Sequence, residues 1–275
     1  MINGISSNAA SNPLLRTMRL NDQAVNDSLA KLATGHRINR AADGPAALIS
    51  SEQLRAVLAE LEAEGRSLQR VDHVASTVDG ALGEIAGLLS DANEHVVAAS
   101  GDGFSDAERE AHQIELSSIV QSVNLIANNT SFNGESLLDG GLDLSALGAS
   151  VHVDDVHAAA LTAEVGGTTY SVADLASGLS TSNPETAQSV LKAAMSKVDT
   201  LRGEIGAFQS NTVQSGLDVL RTTIENVASA ESMIRDTDVA AESARLVRGQ
   251  ILQQASSRVS AIGDASAALV LDLIG

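Results

Sequence analysis

A step of alternately three and four residues through the first third of the chain passes Leu54, Val57, Leu61, Glu64, Leu68, Val71, Ala75, Val78, Leu82, Ile85 and Leu89, apolar at ten of eleven positions. That spacing is the seam of one long helix. Asp43-Gly44-Pro45 supplies its start, with Asp43 as the expected N-cap and Pro45 in the first turn, and Gly101-Asp102-Gly103 stops it after about Ser100. About 55 helical residues at 1.5 Å each make a rod about 80 Å long. No small globule hides such a rod, so its stripe has to be buried against other long helices.

The sequence supplies them. After the glycine break, Ser105 or Asp106 caps a second helix whose stripe reads His112, Leu116, Ile119, Val123 and Ile126, ended by Asn128-Asn129-Thr130. Phe132-Asn133-Gly134 reads as a tight turn in which Asn and Gly accept positive φ. From Glu135 to Ser182 the periodicity changes. Leu161 to Val165 and Thr168 to Val172, joined by Gly166-Gly167, match a two-residue hairpin, and Val151 to Val153 form a further candidate strand. Asn183-Pro184-Glu185 then opens a third long helix with the stripe Ala187, Leu191, Ala194, Val198, Leu201, Ile205 and Phe208. Its register slips near Asn211 and resumes through Val213, Leu217, Leu220, Ile224, Val227 and Ile234, a discontinuity that locally changes supercoiling.

Both chain ends carry helix-period stripes of their own. Leu15, Met18, Val25, Leu29 and Leu32 lie near the start; Ala240, Ala244, Val247, Ile251, Ala255, Val259, Ile262, Leu269 and Leu273 lie near the end. Chain termini stay ordered only when something ties them down, so these ends are expected to pair with each other and with neighbouring molecules. The middle helices then form an antiparallel bundle and the ends a second, smaller one, with Arg235-Asp236-Thr237-Asp238 as a polar junction. Each fully buried Leu, Ile or Val contributes roughly 1.5–3 kcal/mol, which makes the middle bundle stable alone and leaves the sparser ends to order on assembly.

Composition narrows the function. Three Phe, one Tyr and no Trp leave aliphatic residues and Ala to supply burial, which suits helix seams better than a thick globular interior. A hydrophobic content of 44% is too high for a disordered chain. The net charge of −18 repels nucleic acid and anionic membranes, so neither nucleic-acid binding nor membrane insertion is expected. The absence of cysteine excludes disulfides and thiolate metal sites. Met1 to Asn12 has no basic region followed by an apolar run, so a cleavable secretory signal is not expected.

The run Leu32-Ala33-Thr34-Gly35-His36-Arg37-Ile38-Asn39-Arg40-Ala41-Ala42-Asp43 resembles the bacterial flagellin pattern L-S-S/T-G-x-R-I-N-x-A-x-D. Val78-Asp79-Gly80-Ala81-Leu82-Gly83-Glu84-Ile85 is similar to the family's T-E-G-A-L-x-E-I, and Thr130 to Gly134 to its T-x-F-N-G. Toward the other end, Ala228 to Asp238 resembles S-A-x-S-x-I-x-D-x-D, Gln250 to Ala255 matches Q-I-L-Q-Q-A, and Leu269 to Leu273 resembles V-L-S-L-L. The resemblance covers all but the hairpin segment.

The fold this implies is mainly α, a long antiparallel helical bundle or coiled coil with a small β-hairpin region and paired N- and C-terminal helices. Residues 1–40 and 235–275 would be the two parts of an inner coiled-coil domain, 41–134 and 183–234 the helical parts of an outer domain, and 135–182 a minimal variable region. The function it implies is a structural, non-enzymatic subunit that self-assembles into the extracellular flagellar filament, a thin and smooth one. Implied partners are further copies of the chain, the flagellar export apparatus with an export chaperone at the C-terminal helix, and the filament cap and junction proteins. Polymerisation falls to Leu15, Met18, Val25, Leu29, Leu32, Val247, Ile251, Val259, Ile262, Leu269 and Leu273, and the inter-domain junction to Arg37, Ile38, Asn39, Asp43, Arg235, Asp236 and Asp238. The family usually has two acidic residues at Asp43-Gly44 and a basic or polar residue at Pro45, so a stiffer junction is expected here. Asp91, His95 and Glu115 align with positions that a vertebrate innate receptor reads in some flagellins; Glu115 matches, Asp91 replaces an Arg and His95 a Leu.

Competing chemistry is thin. His152-Val153-Asp154-Asp155-Val156-His157 has ligand types, but on a strand His152 and Asp154 share a face from which His157 points away. A solvated loop is the expectation there, and no catalytic, cofactor-binding or metal-binding residue is assigned. Arg37, Arg40 and Arg235 are either an inter-subunit ion-pair set or solvated surface charge worth at most about 1 kcal/mol per pair. Two other functions compete: a hook–filament junction protein, which shares a D-x-P like Asp43-Gly44-Pro45, and a filament subunit with hydrolase activity in the hairpin segment.

Overall fold

In the computed structural model the backbone of residues 3–101 and 105–274 is described, with the side chains of residues 13, 15–101, 105–180 and 182–262. The fold is mainly α, with long helices and small antiparallel strand pairs, in agreement with the sequence expectation. Helices α1 (Asn3–Thr34), α2 (Pro45–Ala99) and α3 (Asp106–Asn129) precede six short strands, β1 (Ser131–Phe132), β2 (Glu135–Ser136), β3 (Leu142–Ala146), β4 (Ala149–Val153), β5 (Thr162–Val165) and β6 (Thr168–Ser171). Short helices α4 (Ala173–Ala176) and α5 (Leu179–Ser182) lead into α6 (Pro184–Phe208), a π-helical turn at Gln209–Gln214, α7 (Ser215–Arg235) and α8 (Val239–Ile274). The chain divides into two compact units, one of Leu61–Thr223 and one of Met1–Glu60 with Ile224–Gly275.

The unit Leu61–Thr223 holds a continuous apolar core. Leu68, Ala75, Val78, Leu82, Ile85 and Leu89 of the α2 stripe are buried with Leu116, Val120, Val123 and Ala127 of α3 and Leu191, Ala194, Val198 and Ile205 of α6. The α3 stripe is thus rotated slightly from its expected line, with Ile119 and Ile126 only partly buried against it. Arg202 of α6 donates to Asp79 of α2 at 2.9 Å. The register slip at Asn211 is the π-helical turn itself, whose wider coil inserts a residue and returns Val213, Leu217 and Leu220 to the core. Gln209 secures it, donating from Nε2 to Asp72 Oδ1 at 3.2 Å and Ser76 Oγ at 3.0 Å.

Helix starts follow local chemistry. Ser105 caps α3 in a reciprocal capping box with Glu108, and Asn183 accepts from Thr186 N before Pro184. The start of α2 differs from expectation. Asp43 closes a 3-10 turn, Ala41–Asp43, and its carboxylate accepts from Asn39 N at 3.0 Å and Arg40 N at 2.9 Å, while Leu48 N bonds the carbonyl of Gly44. Asp43 therefore braces the loop ahead of α2, and Gly44 precedes the first helical residue.

The segment between α3 and α6 contains three hairpins where one tight turn, one hairpin and one lone strand were expected. Asn133 and Gly134, with φ of 54° and 86°, turn β1 into β2; Gly166 and Gly167, with φ of 62° and 81°, turn β5 into β6. Val151 to Val153 lie in β4, joined to its partner β3 by a two-residue turn of Leu147 and Gly148, the latter at φ 83°. Leu147 makes that turn at φ 52°, and its side chain rests where a Cβ at Gly216 would stand.

Candidate assembly interface

Helices α1 and α8 pair antiparallel within the unit formed by the chain ends. Ser28 Oγ donates to Glu242 Oε1 at 2.6 Å, and one turn back along α1 and two turns on along α8 Val25 sits against Gly249. Beyond them Gln253 Nε2 donates to Asp22 Oδ1 at 2.8 Å. Contacts that advance along α8 while receding along α1 define the antiparallel register. The approach at the centre is close, since a Cβ on Gly249 would lie 2.8 Å from Val25 Cγ2.

Apart from Leu246, the face of α8 turned to α1 is small and polar. Glu242 and Ser256 are buried, and Leu246 and Gly249 are partly covered, at steps of four, three and seven residues. The apolar stripe points elsewhere. Val247 and Ile251 flank Gly249 two residues to either side, about 200° around the helix, and remain 54% and 61% exposed. Val259 and Ile262 continue the exposed stripe, and Ser243, Ala244, Val247, Arg248, Ile251 and Leu252 line a shallow groove along it. On α1 only Val25 of the expected seam is buried; Met18 and Leu32 are partly covered, and Leu15 and Leu29 are exposed, as is Leu20. Leu269 and Leu273 belong to α8, but their side chains lie outside the described residues.

Among the described residues of this unit, Val25 and Ile38 are the buried apolar side chains, whereas Ser28, Ser51, Glu242 and Ser256 are the buried polar ones. A pair of long helices so poor in apolar burial has left most of its hydrophobic surface unused. Contiguous exposed apolar groups of this kind mark an interaction surface.

Glu242 is the electrostatic anchor of the pair. The Ser28 hydroxyl, opposed by burial and helped by Arg245 Nη1 at 2.8 Å from Oε2, holds its carboxyl below the usual range. Asp43 is also lowered, first by the Asn39 amide and then by that of Arg40.

The expected junction residues converge near the end of α1. Gly35, at φ 73°, turns the chain out of the helix, and residues 35–37 then run antiparallel to residues 234–237. Arg37 N donates to Arg235 O at 2.7 Å, Thr237 N to Gly35 O at 2.9 Å, and Arg37 Nη2 to Ile234 O at 2.7 Å. His36 pairs with Asp236 at 3.3 Å, and Ile38 is buried. Asn39 Nδ2 donates to His36 O at 3.0 Å. Arg235 Nη1 bonds Glu52 at 3.2 Å, and Asp238 caps α8 through Ala241 N at 3.0 Å. Arg37 and Arg235 therefore have partners inside the chain.

Elsewhere, Asp91 and Glu115 are exposed and His95 is partly buried. His152 pairs across the β3–β4 hairpin with Asp143 at 2.7 Å, whereas His157 pairs with Asp155 at 2.6 Å, so the two histidines serve separate carboxylates. Sequence reading missed Asp22, Ser28, Glu242, Gly249 and Gln253. For the three on α8 the signal was present as a second line at helical spacing, Glu242, Leu246, Gly249, Gln253 and Ser256, small or polar apart from Leu246 and opposite the apolar stripe.

Residues 5–142 match the family model for the bacterial flagellin N-terminal helical region, and residues 189–274 that for the bacterial flagellin C-terminal helical region. The chain is similar to the flagellar filament 30.7 kDa core protein of Treponema maltophilum, 29% identical over an alignment covering 98% of this chain and 99% of that protein. It is similar to a flagellin of Bacillus subtilis at 31% identity with the same two coverages. Among solved structures, a putative flagellar hook-associated protein from Vibrio parahaemolyticus aligns with a TM-score of 0.59 at 15% identity, covering 70% of this chain and 99% of that one, a likeness of fold alone.

Proposed function

The chain belongs to the bacterial flagellin family, it is a structural subunit of the flagellar filament, and we propose that it polymerises through the outward stripes of α1 and α8. The carrying observation is the inverted burial of α8, whose small and polar line meets α1 while Val247, Ile251, Val259 and Ile262 stay exposed. Burying that stripe against the same ends of neighbouring subunits repeats head to tail without closing, which yields a helical filament. The remaining expected seam residues, Leu15, Met18, Val25, Leu29, Leu32, Leu269 and Leu273, extend the same surface. Until a subunit docks, an export chaperone on the α8 stripe would keep it from premature association on its way to the flagellar export apparatus, and the filament cap and junction proteins would meet the same ends. Similarity to filament proteins over nearly the full chain favours this reading over the junction protein.

Arg37, Ile38, Asn39, Asp43, Arg235, Asp236 and Asp238 would act as the junction that orients this unit, with Asp43 stiffening the loop before α2. The hairpin segment serves as scaffold, because its two histidines are tied to different carboxylates. Asp91 puts a negative charge where receptor-active relatives carry Arg, so the monomer should activate the innate receptor poorly; strong signalling at subnanomolar monomer overturns that assignment.

Truncation tests the assembly surface. Variants lacking residues 1–39 or 238–275 should retain a cooperative unfolding transition from the apolar core of Leu61–Thr223 and form no filaments by electron microscopy after seeding. Filaments from either truncation would refute the proposal.

A further inference from the structure

Helices α2 and α3 bring three donor atoms together that the sequence separates. His95 lies on α2, and His112 and Glu115 lie one turn apart on a single face of α3. His95 Nδ1 is 3.2 Å from His112 Nδ1 and 2.9 Å from Glu115 Oε2, and His112 Nδ1 is 3.6 Å from the same oxygen. These atoms form the described chain's convergent group of histidine and carboxylate ligands.

The triangle has the dimensions of a coordination face. Zinc binds imidazole nitrogen and carboxylate oxygen at about 2.0–2.2 Å in tetrahedral geometry, which places neighbouring donors roughly 3.3–3.5 Å apart. The three observed edges, 2.9 to 3.6 Å, straddle that value. An ion above the triangle reaches all three donors with shifts of a few tenths of an ångström. The donors are also held in advance. Ala92 and Val96, on either side of His95 along α2, and Leu116, next to Glu115 on α3, are buried in the core, so the backbone beneath the triangle is fixed by packing. His95 and His112 are themselves 29% and 23% exposed at the side chain, which keeps the site open to an entering ion.

We propose that His95, His112 and Glu115 form a zinc site that clamps α2 to α3. Two imidazoles and one carboxylate are borderline-soft donors suited to zinc, and three protein ligands leave the fourth position to water. Without metal, the three donor atoms lie within hydrogen-bond or ion-pair reach of one another. The clamp is independent of the filament surface on α1 and α8.

The test is zinc titration of chelator-treated, full-length monomer by calorimetry, followed by thermal unfolding with and without zinc. One ion per chain is expected, with a rise in Tm. His95→Ala and His112→Ala should each weaken binding at least about tenfold and abolish the Tm rise, and Glu115→Gln should weaken it, while His152→Ala and His157→Ala leave it unchanged. Binding that survives His95→Ala and His112→Ala, or that is lost equally on His152→Ala or His157→Ala, overturns the proposal. Histidine nitrogen NMR of the unmodified protein removes any dependence on variant folding: zinc should shift the Nδ1 resonances of His95 and His112, and unshifted resonances overturn it.

Discussion

Replacing Ile251, Val259 and Ile262 together with alanine should raise the critical concentration for polymerisation about a thousandfold while leaving the monomer intact. A fully buried carbon contributes about 0.8 kcal/mol, and the three changes delete eight side-chain carbons. The monomer leaves these residues 61%, 56% and 67% exposed, so those fractions remain for a neighbouring subunit to cover. Complete coverage in the filament then makes the deleted carbons worth about 4 kcal/mol per subunit, or roughly three decades at 1.4 kcal/mol per decade. The monomer loses little of this, because alanine recovers up to about 0.7 kcal/mol per residue in helix propensity. Seeded polymerisation across a concentration series, followed by light scattering and sedimentation, reads the critical concentration directly. Thermal unfolding of the monomer supplies the control. A critical concentration within about threefold of the parent, less than 1 kcal/mol by the same conversion, would show that the exposed stripe is not the assembly surface.

Gly249→Val should push α1 from α8 and cost about 1–3 kcal/mol at that contact, since even a Cβ would meet Val25 Cγ2 at 2.8 Å. Hydrogen exchange in α1 should accelerate, and adding Val25→Ala should restore at least half of the protection; no recovery would place the clash elsewhere. Glu242 has a folded pKa below its ordinary value of 4.5, so its contribution is fully present above that value and is lost as pH falls through the depressed folded pKa. Exchange protection of α1 and α8 should therefore decline below about pH 4.5 in the parent, whereas in Glu242→Gln this acid-dependent component disappears; parallel profiles would contradict the anchor role. Leu82→Ala, at a fully buried core position, should remove about 2–5 kcal/mol from the denaturant unfolding of the Leu61–Thr223 unit, and a loss below about 1 kcal/mol would contradict its close packing.

Much of this protein is fixed by local chemistry and is therefore readable from the chain. Helices α2, α3 and α6 begin near their proline, serine and asparagine signals, and α2 and α3 end near their glycine and asparagine breaks, because caps and breakers act over one turn. The glycine-paired β5–β6 hairpin was legible for the same reason, whereas β3 was not: its turn sets Leu147 ahead of Gly148 where a turn-forming residue would be expected, and the space for that strained leucine comes from Gly216, far along the chain. Asp43 reads as a helix cap in one dimension, yet its carboxylate turns back to the Asn39 and Arg40 amides.

The terminal stripes show the limit most clearly. Sequence periodicity determined that α1 and α8 carry apolar faces in need of cover. It could not determine which face of α8 meets α1, because a helix offers several faces and the choice depends on how closely two backbones can approach. Gly249 against Val25 and the buried Ser28–Glu242 bond settled that choice in favour of the small and polar face. Only the tertiary structure could likewise bring His95 beside His112 and Glu115, since the packing of α2 on α3 sets distances between atoms that sequence spacing leaves free.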